Sequence, residues 1–221
     1  MPNWCYTHYT FYGNANDIEA FHNNIKEWTS RNYLPNGFGV NWLGNIVQGS
    51  GLGKFMAPNC PEHLKLSCRG ELIDIDDIED SGDASKSFGI STSTAWCEMP
   101  KMFIKIIEKF GYDISVAYQA EECGNGIYTI YDPDNLGCYD DASLYLEFFI
   151  SDDEVEIFER YPVLKELSGY NSYWNFGRFL DFINKYGFES VDNFNDFFKE
   201  NLDDDDFVVA HKFDYVNEIY E

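Results

Sequence analysis

The residues from Phe88 to Asp132 read FGISTSTAWCEMPKMFIKIIEKFGYDISVAYQAEECGNGIYTIYD, and their reading decides the fold. Phe88, Ile90, Thr92, Thr94 and Trp96 share one parity, with small residues between them. Period two of this kind predicts a strand with one buried face, and it places Trp96 in the core. Pro100 falls where a first helical turn begins and its missing N–H costs nothing. Met102, Phe103, Ile106, Ile107 and Phe110 follow at spacings of three and four, with Lys101, Lys105, Glu108 and Lys109 between them. That is an amphipathic helix, stopped by Gly111. Ile114, Val116, Tyr118 and Ala120 alternate again. Cys123-Gly124-Asn125-Gly126 is a turn signal, and Ile127–Tyr131 is its return strand.

Upstream, the order repeats. Cys5, Thr7, Tyr9 and Phe11 alternate with Tyr6, His8, Thr10 and Tyr12 up to Gly13, which predicts a strand. Asn16 with Glu19 has the form of a helix start. Ile18, Phe21, His22, Ile25 and Trp28 then define one helical face, with His22 as a satisfied histidine at its edge. Residues 30–70 hold seven glycines and three prolines and read as an insertion, with a short helix or strand near Val40–Val47. Glu71–Ile78 is a strand, and Asp80–Ser87 a polar turn.

The order β-α-loop-β-β-α-β plus a hairpin strand predicts an α+β fold of ferredoxin-like, split-βαβ type. Its antiparallel sheet carries two helices on one face. Ser143–Ile150 is expected to pair with Ile127–Tyr131, so the core is set at residues 1–150. Residues 151–221, with a net charge of −12, are expected to form an acidic, mainly helical extension. Within it, helices are expected at Pro162–Leu167, from Trp174 to Tyr186 and over Val191–Leu202, with a strand pair or a strand and a tail beyond Phe207.

Charge narrows the partners. With 15 basic against 39 acidic residues, the net charge is −24. Such a field repels nucleic-acid backbones and anionic membranes and attracts basic proteins. No apolar run reaches a membrane-spanning length, and the start Met1-Pro2-Asn3-Trp4-Cys5 has no export signature. Six cysteines without a CxxC pair are expected as free thiols in the cytoplasm.

Candidate chemistry fails motif by motif. Gly49–Lys54 imitates a phosphate loop, but Gln48 stands at the first glycine position and Phe55 at the Mg²⁺-binding hydroxyl. Cys60, His63 and Cys68 lack a fourth zinc ligand. Asp132-Pro133-Asp134-Asn135-Leu136 opens like a calcium loop, but Leu136 occupies a ligand position and Ser143 the place of a bidentate Glu. Glu121 and Glu122 are neighbours in a strand and point to opposite faces. The aromatic-basic signature of RNA-binding sheets is absent from the sequence. No catalytic, metal or cofactor residues are assigned.

The start MPNWC with Gly13 resembles the M-P-N-W-C-x-N-x-x-x-I-x-G start of the YubB ferredoxin-like family of bacterial mobile elements. Thr92–Trp96 with Pro100, and Tyr118–Gly126, are similar to that family's T-x-T-A-W-x-P-P and Y-x-E-x-G-x-G region. Thr7 stands where the family has Asn, and Met99 where it has the first Pro. The resemblance spans residues 1 to 135. It implies the same fold and a plasmid or phage origin, and it carries over no catalytic residue.

These readings lead to one expectation: a non-enzymatic module that binds a basic protein partner. In its sharpest form it is an anti-defence mimic whose carboxylates stand in for phosphates. The expected contacts are Asp74, Asp76, Asp77 and Asp80, and Asp203, Asp204, Asp205 and Asp206. The alternatives are a structural component of the element, or an enzyme with a site drawn from His8, Glu121 and the Gly-rich loop.

Overall fold

A computed structural model describes residues 3–33, 39–53, 66, 68–82, 84–151, 154–168, 172–203 and 205–219. Its first unit comprises residues 1–136 and 215–221, and its second residues 137–214.

Alternation in β1 (Trp4–Asn14) makes it the centre of the first unit. Cys5, Thr7, Tyr9 and Phe11 are buried on one face, and Trp4, Tyr6, His8 and Thr10 look the other way. β1 pairs antiparallel with β4 (Ser85–Ala95) on one side and with β5 (Ile114–Glu122) on the other. Tyr9 stands opposite both Ile90 and Tyr118. β2 (Gly70–Ile75) lies outside β4, and β3 (Glu79–Gly82) pairs with the start of β4. β6 (Ile127–Tyr131) lies outside β5, followed by β10 (Asp214–Val216), giving the order β10-β6-β5-β1-β4-β2.

Two helices pack on the Tyr9 face. In α1 (Ala15–Thr29), Phe21 meets Phe11 with ring centroids 5.2 Å apart. In α3 (Pro100–Phe110), Phe103 lies 4.8 Å from Tyr9 and 5.2 Å from Phe11. Each buried aromatic contributes about 1.5–3 kcal/mol, so this cluster dominates the core. Pro100 opens α3 and Gly111, at φ 67°, closes it, as the sequence predicts. The N-cap of α1 is Asn14 rather than Asn16: the Asn14 side chain accepts from the Asn16 N–H at 3.0 Å. In the glycine-rich segment, α2 (Gly44–Gly49) realises the short helix expected there.

Trp96 departs from its predicted place. β4 ends at Ala95, and Trp96 takes a φ of 80°, donates its N–H to the Asn3 carbonyl at 2.9 Å and is 46% exposed. The alternation through Thr94 is real, but the chain turns one residue before the tryptophan would bury. The stretch expected as the turn Asp80–Ser87 is instead occupied by β3 and the start of β4.

The second unit corrects the boundary at 150/151. β7 (Leu144–Phe149) pairs with β8 (Ser172–Trp174) and β9 (Phe207–Lys212), not with Ile127–Tyr131. A cut after residue 150 would separate β7 from both of its partners. Leu144 and Leu146 pack into a core with Leu164, Phe179, Ile183, Phe194 and Phe198. These come from α5 (Pro162–Leu167), α6 (Phe176–Asn184) and α7 (Val191–Asn201), preceded by α4 (Glu154–Arg160). Trp174 belongs to β8, not to the helix that follows, because Asn175 caps α6 by accepting from the Arg178 N–H. No helix among the described residues is long and apolar enough to cross a membrane.

Candidate functional site

The face of the first sheet turned away from α1 and α3 carries the polar residues of the alternating strands. On β4 these are Ser87, Gly89, Ser91 and Ser93, which are short enough to leave a hollow beside β1. Register slips between Leu72 and Asp74 in β2, an irregularity of the kind that re-aims side chains at sheet edges. Asp74, Asp76, Asp77 and Glu79 thereby meet His8, Thr10, Ser87 and Gly89 around a groove of about 550 Å³.

Asp76 is pinned through its backbone. Its N–H donates to the Gly89 carbonyl at 3.0 Å, and its own carbonyl accepts from His22 Nε2 at 3.1 Å. Its carboxylate Oδ2 lies 3.9 Å from His8 Nε2, while His8 Nδ1 is 3.0 Å from the Ser91 hydroxyl. Ser91 and His8 are direct cross-strand partners in the β1–β4 register. Burial lowers the His8 pKa below the ordinary histidine value, and the Asp76 charge opposes that shift. The imidazole is therefore neutral near pH 7, with one nitrogen toward a hydroxyl and the other toward a carboxylate.

The remaining carboxylates of this patch are only partly compensated. Asp77 is 3.6 Å from Lys26, and Asp80 is 3.8 Å from Lys86, which also pairs with Glu19. The Asp74 side chain accepts the Ile75 N–H at 2.9 Å. Exposed pairs of this kind contribute about 0–1 kcal/mol, so they leave the charge available to a partner.

The second acidic run behaves differently. Asp206 is 8% exposed, and its Oδ1 accepts the Ser151 N–H at 2.7 Å, so it holds the chain after β7 rather than facing a partner. Asp203 accepts the Asp206 N–H through its carbonyl, and Asp205 is exposed. Asp204 lies outside the described residues, as do Cys60, His63 and Lys54.

Other sequence candidates are absorbed by structure. The buried Glu122 carboxylate accepts the N–H groups of Gly124 and Asn125, each at 2.7 Å, and so closes the hairpin turn. Glu121 stands opposite Tyr6 and is not part of the groove around His8. Asp132 Oδ1 accepts the Leu136 N–H and its carbonyl the Asn135 N–H, closing a turn. Gly49 lies against the Trp28 indole, where a Cβ would come within 2.3 Å of the ring. Gly53 lies equally close to Gln48, so packing accounts for both glycines.

Sequence reading named His8 and Asp76 separately and missed Ser91 and Gly89. The usable signal was the shared parity of a β1 histidine and β4 serines, but it needed the register to become a contact. Comparison with protein-family models, curated proteins and solved structures finds no match to this chain.

Proposed function

We propose that the chain is a non-enzymatic, cytoplasmic module of a bacterial mobile element that engages a basic protein partner through the groove lined by Asp74, Asp76 and Asp77, together with Asp80, the residue after the lining Glu79. The first unit is read as ferredoxin-like, a reading supported by β5-β1-β4-β2 antiparallel pairing with α1 and α3 on one face. The observation that carries the binding reading is the groove itself. Five carboxylates lie between Asp74 and Asp80, two lysines reach them, and the whole chain carries −24. In the anti-defence form of this reading, the carboxylates occupy phosphate positions on a nucleic-acid-binding partner.

The test is capture from a bacterial lysate on immobilised protein at about 50 and about 500 mM NaCl, on either side of the physiological screening length. Wild type is compared with a variant carrying Asp74→Asn, Asp76→Asn, Asp77→Asn and Asp80→Asn. A basic protein retained at low salt, and lost both at high salt and by the variant, supports the reading. Retention indifferent to salt and to the four substitutions would refute it.

The contacts of His8 favour a second reading, a hydrolytic enzyme. Ser91 Oγ would lose its proton to His8 Nδ1 while Asp76 steadies the imidazole. An alkyl fluorophosphonate discriminates the two: stoichiometric labelling of Ser91, lost in Ser91→Ala and His8→Gln, supports the enzyme. An unlabelled Ser91 leaves His8–Ser91 as a cross-strand hydrogen bond within a binding surface.

A further inference from the structure

The N-terminal end of β1 carries a second hollow, of about 560 Å³, similar in size to the acidic groove but different in lining. Trp4, Trp42, Cys68, Arg69, Glu71 and Ala95 line it. That volume is in the range of small-molecule sites.

Each wall is fixed by a separate feature of the fold. Trp4 closes the β1–β4 ladder opposite Ala95 and is 46% exposed, so its indole is open to a ligand. Trp42 forms an antiparallel bridge with Glu71. The residues beside it are tied to β2 by Leu43 N–H to the Gly70 carbonyl at 3.1 Å and Leu72 N–H to the Asn41 carbonyl at 2.7 Å. Its indole rides over Gly44, where a Cβ would fall 2.2 Å from the ring. Gly70, at φ 141°, brings the backbone so close to the Ser93 carbonyl that no side chain fits. Burial raises the Cys68 thiol to about 12, so that wall is uncharged.

Arg69 gives the hollow its polarity. Arg31, Arg160 and Arg178 each pair with a carboxylate. Arg69 has no carboxylate partner among the described residues, although acids outnumber bases by 24. Its Nη2 donates to Cys97 Sγ at 3.1 Å, which holds the guanidinium in place and leaves its other N–H groups for an acceptor. Cys97 follows Trp96, and Trp96 donates its N–H to Asn3, the residue before Trp4. Two of the stretches singled out in the sequence, MPNWC and TSTAW, therefore meet at this end of the sheet.

Apolar indole walls with one clamped guanidinium suit a flat ring that ends in an anion. Glu71, two residues beyond Arg69 in the chain, disfavours a bare inorganic anion, so ring stacking must supply part of the affinity. We propose that this hollow binds a small planar aromatic anion, its ring against Trp4 and Trp42 and its carboxylate or phosphate on Arg69. This goes beyond the binding of a basic partner and does not depend on it.

The five tryptophans give five indole N–H resonances, assigned by single Trp→Phe variants, for titration by ¹⁵N NMR. Adenosine 5′-monophosphate and benzoate are the probes for the phosphate and carboxylate sources. Adenosine, benzyl alcohol and inorganic phosphate are the partial ligands. The expected result is a saturable shift of the Trp4 and Trp42 signals with at least one of the two anions, and no shift of Trp28 and Trp174. Affinity should fall about tenfold or more for the matching uncharged ligand and for inorganic phosphate, and equally in Arg69→Gln. Arg69 is exposed, so that variant should keep the wild-type unfolding midpoint, and Trp42→Leu gives an independent loss of binding. No saturation by either anion, equal binding of the uncharged ligand, or undiminished binding by Arg69→Gln would overturn the proposal.

Discussion

Gly89 occupies the angle between Asp76 and His8: a Cβ built on it would lie 2.1 Å from Asp76 Oδ2 and 2.6 Å from His8 Cε1. Both obstructing groups are the tips of side chains, so they can swing away. Gly89→Ala is therefore expected to fold, with a stability loss of about 1 kcal/mol, and to lose the His8–Asp76 proximity. Gly13→Ala is the contrasting case. There the added Cβ would meet the Asp113 carbonyl at 2.1 Å and the Ile114 Cα at 2.9 Å, both backbone atoms at the start of the paired strand β5. Its expected cost is about 3 kcal/mol or more. Urea unfolding midpoints compared with the His8 imidazole NMR signals separate the two outcomes.

Burial lowers the pKa of both His8 and His22. A histidine depressed in the folded state binds its proton more readily when unfolded. Its stability contribution is complete above the ordinary value of 6.5 and is lost as pH falls through the folded pKa. NMR titration of the imidazole protons should give midpoints below 6.5 for both. His8→Gln should unfold with a shallower acid-side decline than wild type over that window. The comparison cancels the carboxylates common to both proteins. Because Asp76 opposes the depression, Asp76→Asn should lower the His8 midpoint further.

Much of the first sheet was legible because alternation is a local signal. Cys5 to Phe11 and Phe88 to Thr94 state their own buried parity. What fails is whatever a distant partner decides. Trp96 carries the right parity, but the turn after Ala95 and its hydrogen bond to Asn3 take it out of the core. Leu144–Phe149 reads as a strand in any context, yet only Val208 and Ala210, some sixty residues away, show where it pairs. Asp76 and His8 were each visible as residue types. Their meeting depends on the Ser91–His8 register and on a bulge in β2 that no periodicity announces.

Glu122 offers a sharp test of a carboxylate used for structure. Both of its oxygens accept turn N–H groups, and the side chain is buried. Glu122→Gln keeps one acceptor and turns the other into a donor facing an N–H. The expected loss is about 1–3 kcal/mol in chemical unfolding, with faster hydrogen exchange at Gly124 and Asn125. Glu121→Gln on the opposite face should cost less, since it leaves that turn intact. Equal losses for both would remove the turn-closing role.

The acidic run before β9 divides in the same way, between one residue that builds and others that display charge. Asp206 is buried and holds the Ser151 N–H, on the chain leaving β7, while Asp205 is exposed. Asp206→Ala removes the buried carboxylate that accepts the Ser151 N–H next to the β7–β9 pairing and should cost about 1–3 kcal/mol. Asp205→Ala removes one charge from a crowded anionic surface and should stay within about 0.5 kcal/mol of wild type, or gain slightly by relieving repulsion. Thermal unfolding of the two variants decides the point. If Asp206→Ala matched Asp205→Ala, Asp206 would return to the set of residues that display charge to a partner. A loss confined to Asp206→Ala limits that set in this run to its exposed members.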